Sequence, residues 1–126
     1  MRKFLIFFAA FFVLTSVVFS AQVEVDMDLM QTVEDLNKSL ASNVATKNAN
    51  GSKSDAKELE QLFTTVETYF ANKGGADDAV ELAHKSRELA AAISKAVSEG
   101  NYDAATNHAT DLSRTCRTCH TFYKKS

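Results

Sequence analysis

The sequence contains no proline, and after residue 20 its apolar side chains recur every three or four positions. That spacing puts apolar residues on one face of a helix, whereas a half-buried strand needs a period of two. Four such segments follow one another, and the four glycines lie in the gaps between them. Connections of a few residues make consecutive helices antiparallel. The pattern predicts an all-α fold, an antiparallel up-down-up-down four-helix bundle.

The first two predicted helices are separated by a polar stretch. The first helix is predicted from about Val25 to Ala45, and residues 46–53 are predicted to form a loop. The second helix is predicted to begin near Asp55, because Glu58 lies three residues further on, as in a capping box. It is predicted to end at residues 74–75, where two glycines favour a helix stop.

The last two predicted helices have similar boundary signals. The third helix is predicted to begin at Asp78, with Glu81 again three residues further on, and to end at Gly100. The fourth helix is predicted to begin near Asn101 or Asp103, because both residue types are good helix caps.

Residues 1–20 have the pattern of a signal peptide. Arg2 and Lys3 precede an uncharged, almost wholly apolar run that reaches Val18, and a cut after Ser20 suits signal peptidase. The run is shorter than the roughly 20 residues of a membrane span, so we expect no stable membrane insertion after cleavage. An uncleaved anchor is the alternative. The sequence predicts a signal peptide at 1–20, export to the periplasm, and one domain at 21–126.

The charge and size of residues 21–126 limit their partners. They carry 12 basic and 16 acidic side chains, a formal net charge of −4, because Arg2 and Lys3 belong to the signal segment. A negative charge argues against nucleic acid or an anionic membrane as partner. These residues include six aromatic side chains and no Trp, and alanine fills many apolar positions. A large apolar cofactor would supply the bulk that such a thin core lacks.

The stretch Cys116-Arg117-Thr118-Cys119-His120 has the C-x-x-C-H spacing by which a c-type haem is attached. Residues three and four apart share a helix face, so both thiols and the imidazole face one side. The two thiols can then bond one haem while His120 ligates its iron. The motif predicts one covalently attached haem c per chain, carried on the last helix. Export agrees with it, because bacteria attach this haem outside the inner membrane.

Three other interpretations of the two cysteines remain open at this point. A redox C-x-x-C needs a βαβ setting that the helical pattern lacks. A structural zinc site needs four ligands, usually with a second Cys or His pair. A Cys116–Cys119 disulfide would leave a haem-free helical interaction domain. No carboxylate pair, Ser/His/Asp set or phosphate loop is visible in the sequence, so no enzymatic activity is predicted.

The motif and its setting resemble one family of cytochromes. The pattern C-x-x-C-H-x-x-Y, which ends at Tyr123, follows three predicted helices, and Met30 lies near the start of the first helix. In these features the chain resembles the class II cytochromes c, the cytochrome c-prime family of four-helix bundles. The resemblance covers residues 21–126 in architecture and rests on the last helix in motif. Asp26 departs from it, since the family often has a basic residue there.

The resemblance implies a ligand set and a function. His120 is the proximal iron ligand, Met30 is the distal ligand, with Met27 as a second candidate, and Tyr123 packs against the haem. A thioether raises the reduction potential relative to bis-histidine ligation, which suits single-electron transfer with redox partner proteins. The alternative within the family is a five-coordinate iron that binds nitric oxide or carbon monoxide. The family also suggests a homodimer through the first two helices.

Four cations and two histidines are the remaining candidate functional residues. The cations Arg114, Arg117, Lys124 and Lys125 are interpreted as partners of the haem propionates or as a basic ring that docks a redox partner. A solvated helix face is the alternative, and Arg117 is the strongest candidate because it lies between the cysteines.

The two histidines outside the motif, His84 and His108, are predicted to be solvated surface residues, which is the usual state of a lone polar residue on a helix.

Overall fold

Four α-helices make up the described part of the chain, and no strand occurs within residues 24–123. The structure is a computed structural model that describes residues 24–123, with side chains for residues 24–121. The predicted signal peptide at 1–20, the side chain of Tyr123, and Lys124 and Lys125 lie outside the described residues. The helices are α1 (Met27–Ala45), α2 (Ala49–Lys73), α3 (Asp77–Ser98) and α4 (Tyr102–Tyr123).

The helices pack as a closed bundle. Each packs against the next along the chain, and α1 also packs against α4. Tyr102, at the start of α4, donates a hydrogen bond of 3.3 Å to the carbonyl of Lys47, which lies just beyond the end of α1. These ends meet because α1 and α4 run in opposite directions. The predicted all-α, up-down-up-down four-helix bundle is confirmed.

The core is built from small and aliphatic side chains. Each helix contributes one large residue that is fully buried: Leu40, Leu59, Ile93 and Leu112. Phe63 is the one aromatic side chain among the buried core residues of the described chain. Alanines fill many of the other core positions, as the sequence indicated. None of the described helices is long and apolar enough to cross a membrane.

The connection between α1 and α2 is much shorter than the predicted loop at 46–53. Lys47 adopts the left-handed backbone conformation, with φ of 55°, and Asn48 caps α2. The Asn48 amide donates back to the Asn43 carbonyl at 2.8 Å. The Lys47 amide donates to the Val44 carbonyl at 3.1 Å, which completes a Schellman turn. Glycine usually occupies the left-handed position, so a lysine there hides the turn from sequence analysis.

The predicted start of the second helix near Asp55 is wrong, because α2 already begins at Ala49. Asp55 forms no capping box. Its carboxylate instead accepts hydrogen bonds from Ser39 Oγ at 2.7 Å and Asn43 Nδ2 at 2.8 Å, both on α1. Gly51, predicted to lie in the loop, is part of α2. A Cβ there would lie 2.8 Å from Asn43 Cγ, so glycine permits the close approach of α1.

Replacing Asn48 with alanine is expected to lower the free energy of unfolding by about 1 kcal/mol. The Asn48 side-chain oxygen accepts the Gly51 amide at 3.1 Å and so satisfies a helix-end donor. Urea denaturation followed by circular dichroism measures the change. Asn50→Ala is the control, because Asn50 is exposed on α2 and is not the cap. Equal effects of the two substitutions would contradict the observed start of α2.

The start of α3 also differs from the prediction. Asp78 does not cap the helix, because α3 begins at Asp77 and Ala76 occupies the cap position without a side-chain hydrogen bond. Both aspartates lie in the first turn, where a carboxylate favours the positive end of the helix dipole.

The turn from α3 to α4 follows the prediction. Gly100 has a φ of 71°, and the Asn101 amide donates to the Ala96 carbonyl at 2.8 Å. The helix stop at Gly100 is confirmed. α4 begins at Tyr102, within the predicted range, and the Asn101 side chain accepts the Ala104 amide at 3.1 Å.

Candidate functional site

A cavity of about 350 Å³ lies among the four helices at one end of the bundle. It is lined by the first half of α1, the second half of α2, the first half of α3 and the last half of α4. In an antiparallel bundle these four segments meet at the same end. The volume falls within the roughly 300–1,000 Å³ that is common for cofactor and small-molecule sites.

Much of the cavity wall is apolar. The helices α1, α2 and α3 contribute this part through Val33, Phe63, Val66, Leu82 and Ala83. α1 and α4 share the smallest interface among the four neighbouring helix pairs, which leaves space between them. The cavity therefore exposes, inside the bundle, apolar surface that would be stabilised by contact with a large apolar group.

The wall formed by α4 carries the C-x-x-C-H residues. Cys116, Cys119 and His120 all line the cavity, because they lie three and four residues apart on one continuous helix. All three side chains are half-buried. Both thiols are free. Two thiols and an imidazole thus face the same internal space.

Burial keeps both thiols neutral. Removal from water raises the pKa of the Cys116 thiol to about 11, and the nearby Cys119 thiol adds to the shift. Burial also raises the pKa of Cys119. A redox-active C-x-x-C needs a lowered thiol pKa, since the thiolate is the nucleophile. These two thiols lack that property.

His120 is open to a ligand. Neither of its ring nitrogens forms a hydrogen bond with a described residue. Among residues 24–121, no group of three or more His, Cys, Asp or Glu side chains is arranged to hold a metal ion. The four-ligand zinc site considered from the sequence therefore has no donor set there.

The structure separates the two methionine candidates on α1. Met30 is half-buried and lines the cavity that His120 also lines. Met27, at the first position of α1, is 82% exposed and does not line it. The two residues are three apart and so share a helix face, but Met27 is the first residue of α1 and lies beyond the cavity.

Polar residues line the part of the cavity between α1 and α4. Asn37 Nδ2 donates a hydrogen bond of 3.1 Å to Ser113 Oγ and so joins the two helices. Lys38 Nζ lies 2.9 Å from Glu34 Oε1, and Arg117 lines the cavity from α4. Sequence analysis missed Asn37 and Ser113. Asn37 follows Met30 by seven residues, and Ser113 precedes His120 by seven residues. Seven residues complete about two helical turns, so each of these residues lies on the same helix face as a predicted site residue, and this spacing could have identified them.

The two other histidines lie away from the cavity. His84 is 45% exposed, as predicted for a surface residue, but it is not merely solvated. Its Nδ1 lies 3.1 Å from Glu67 Oε1 of α2, and its Nε2 lies 3.2 Å from Glu88 Oε1. Arg87 Nε donates to Glu67 Oε2 at 3.0 Å. This network links α2 to α3, and neither His84 nor His108 lines the cavity.

In comparisons with known proteins, no family model, no curated protein and no solved structure matches the chain. The residues of the cavity are therefore the basis for assigning a function. Two thiols, an imidazole and a thioether line one mostly apolar cavity.

Proposed function

We propose that the chain is an exported class II c-type cytochrome with one haem, which carries single electrons between redox partner proteins. Cys116 and Cys119 attach the haem by thioether bonds. His120 is the proximal ligand of the iron and Met30 is the distal ligand. The predicted signal peptide at 1–20 directs the chain to the periplasm, where the haem is attached.

One observation carries the proposal: the two thiols, the His120 imidazole and the Met30 thioether line the same cavity. Met30 and His120 come from α1 and α4, which run antiparallel on two sides of that cavity. The Met30 thioether and the His120 imidazole could therefore hold a haem between two walls of the cavity. The apolar wall supports the same conclusion.

Each residue has a separate role. The bound haem supplies the one-electron redox centre. The cysteines fix its position against α4, and His120 donates an imidazole nitrogen. Met30 donates a soft, neutral thioether, which favours the ferrous state. The apolar residues Val33 and Phe63 keep water away from the centre. If His120 and Met30 both held the iron, no site would remain open for a substrate.

The second candidate function is gas binding at a five-coordinate iron. Val33 favours it, because this buried residue lies one turn beyond Met30 on α1 and also lines the cavity. If Val33 rather than Met30 faced the iron, nitric oxide or carbon monoxide could bind there. Carbon monoxide binding by the wild-type protein, compared with Met30→Ala, distinguishes the two functions.

Mass spectrometry of the denatured protein tests the proposal directly. The chain is produced in a bacterium that has the machinery for c-type haem attachment. We expect its mass to increase by one haem, because thioether bonds survive acid and denaturant. The increase should be absent in the double variant Cys116→Ala/Cys119→Ala. Thr118→Ala is the control, because Thr118 is exposed and its hydroxyl bonds only the Arg114 carbonyl.

The same mass measurement can also contradict the proposal. An unmodified wild-type mass, under conditions in which a known c-type cytochrome receives its haem, would contradict the proposal. A mass lower by two hydrogens would then identify a Cys116–Cys119 disulfide and support the haem-free interaction domain.

A further inference from the structure

One hydrogen bond crosses the boundary between α1 and α4, which is called the seam below. Asn37 Nδ2 donates to Ser113 Oγ at 3.1 Å, and both side chains are half-buried in the cavity wall. This interaction between Asn37 and Ser113 is called the seam bond. It takes no part in haem attachment or iron ligation, but it joins the two helices that carry Met30 and His120.

The seam bond crosses a poorly packed part of the bundle. α1 and α4 share the smallest interface among the four neighbouring helix pairs. The cavity of about 350 Å³ lies on one side of the bond, and a second cavity of about 120 Å³ lies on the other side, between α1 and α4. Ser113 lines both cavities. Apolar packing is not directional, whereas a hydrogen bond is, so the seam bond restricts how α1 can slide along α4.

The two halves of α1 are held differently. Two of its three buried residues, Leu40 and Val44, lie in the second half, and Val33 is the one buried residue of the first half. In the second half Ser39 Oγ also donates to Asp55 Oδ2 of α2 at 2.7 Å. The seam bond lies where this firmly held half begins. It is therefore placed to limit the movement of the half that carries the proposed distal ligand.

The seam bond also sets the level of Met30. Met30 lies seven residues before Asn37 on α1, and His120 lies seven residues after Ser113 on α4. The two helices run antiparallel, so equal counts in opposite directions along the chain lead to the same level. That level is about 10 Å from the bond, at 1.5 Å per residue. Met30 and His120 therefore lie opposite each other in the cavity.

The far end of the seam has the same register. Lys47 lies ten residues after Asn37, and Tyr102 lies eleven residues before Ser113. The Tyr102 hydroxyl donates to the Lys47 carbonyl at 3.3 Å. The two contacts agree to within one residue, or about 1.5 Å along a helix.

We infer that the seam bond positions the distal ligand: it holds Met30 level with His120 and so keeps the thioether on the iron. This inference rests on the proposed function and adds the residues that control the distal ligand. A slip of one residue would move the thioether by about 1.5 Å, whereas a functional site needs its groups within about 0.5 Å of their working geometry. Loss of the seam bond leaves Met30 in the chain but lowers the fraction of molecules in which it is bound to iron.

Titration of the ferric, haem-loaded protein with imidazole tests the inference. Imidazole competes with Met30 for the iron, and loss of the far-red absorption band of methionine-bound ferric iron measures the exchange. The apparent affinity for imidazole depends on the fraction of molecules in which Met30 has left the iron. We expect Asn37→Ala and Ser113→Ala each to raise this affinity about fivefold, which corresponds to the loss of one net hydrogen bond.

Two further variants separate the bond from its individual side chains. Asn37→Ala/Ser113→Ala should have the same imidazole affinity as either single variant, because one substitution already removes the bond. Ser113→Thr should have the wild-type affinity, because threonine keeps the hydroxyl and the second cavity leaves space for a methyl group.

Ser39→Ala is the matched control. It also removes a side-chain hydrogen bond between α1 and a neighbouring helix, but that bond joins α1 to Asp55 of α2 and not to α4. Ser39 does not line the cavity. The control should lower the free energy of unfolding, as the seam variants do, and should leave the imidazole affinity unchanged. This comparison separates the positioning of Met30 from general stability.

An unchanged imidazole affinity in Asn37→Ala and Ser113→Ala, or an equal increase in Ser39→Ala, overturns the inference and leaves the proposed function intact. Either seam variant decides the question if the other does not fold. A wild-type ferric protein without the methionine band overturns ligation by Met30 and the inference with it. A wild-type chain without covalent haem overturns the proposed function, and mass spectrometry identifies that case before any titration.

Discussion

Met30→Ala is expected to convert a ferrous protein that does not bind carbon monoxide into one that binds it stoichiometrically. In the proposed site His120 and Met30 would hold the iron from both sides, so no position would be open. Alanine has no donor atom, and its small side chain leaves a space on the distal side of the cavity. The absorption spectrum should change from low-spin to high-spin in both oxidation states. The reduction potential should fall, because the thioether no longer favours ferrous iron.

Met27→Ala is the matched control for this experiment. It makes the same substitution on the same helix, one turn earlier, at a side chain that is 82% exposed. The control should retain the low-spin spectrum and should not bind carbon monoxide. A wild-type protein that is already high-spin and binds carbon monoxide would eliminate Met30 as a ligand and make gas binding the function.

Leu40→Ala is expected to lower the free energy of unfolding by about 2–5 kcal/mol, the range for a large buried side chain replaced by alanine. Leu40 is fully buried, and only Val33 and Val44 are buried with it on α1. The loss is a large part of the 5–15 kcal/mol that typically stabilises a domain. It should loosen α1 first, because this helix has few other buried contacts. Urea denaturation, with wild type and variant in the same haem state, measures the change.

Leu36→Ala is the control for this substitution, because Leu36 lies one turn earlier on α1 and is only partly buried against the core. Its loss should cost clearly less than that of Leu40, since less surface was removed from water and a smaller cavity remains. A loss at Leu40 no larger than at Leu36 would contradict the packing of α1 in the bundle.

The helix boundaries show which structural features local sequence signals can predict. The stop at Gly100 and the start of α4 at Tyr102 were predicted, because the residues that make these turns also identify them. The start of α2 was not. There Lys47 takes the conformation that glycine usually takes, and Gly51 lies inside the helix, where it permits contact with Asn43. Asp55 makes an interhelix contact there instead of a cap.

The sequence by itself determined the fold class and the three residues of the C-x-x-C-H motif. Helical periodicity and motif spacing are local properties, and one helix is enough to bring Cys116, Cys119 and His120 to one face. Only the tertiary structure decided which methionine shares their cavity, because the extent of the cavity along α1 depends on how the four helices pack. It also revealed the hydrogen bond between Asn37 and Ser113, which lie 76 residues apart in the chain and meet only when the bundle closes.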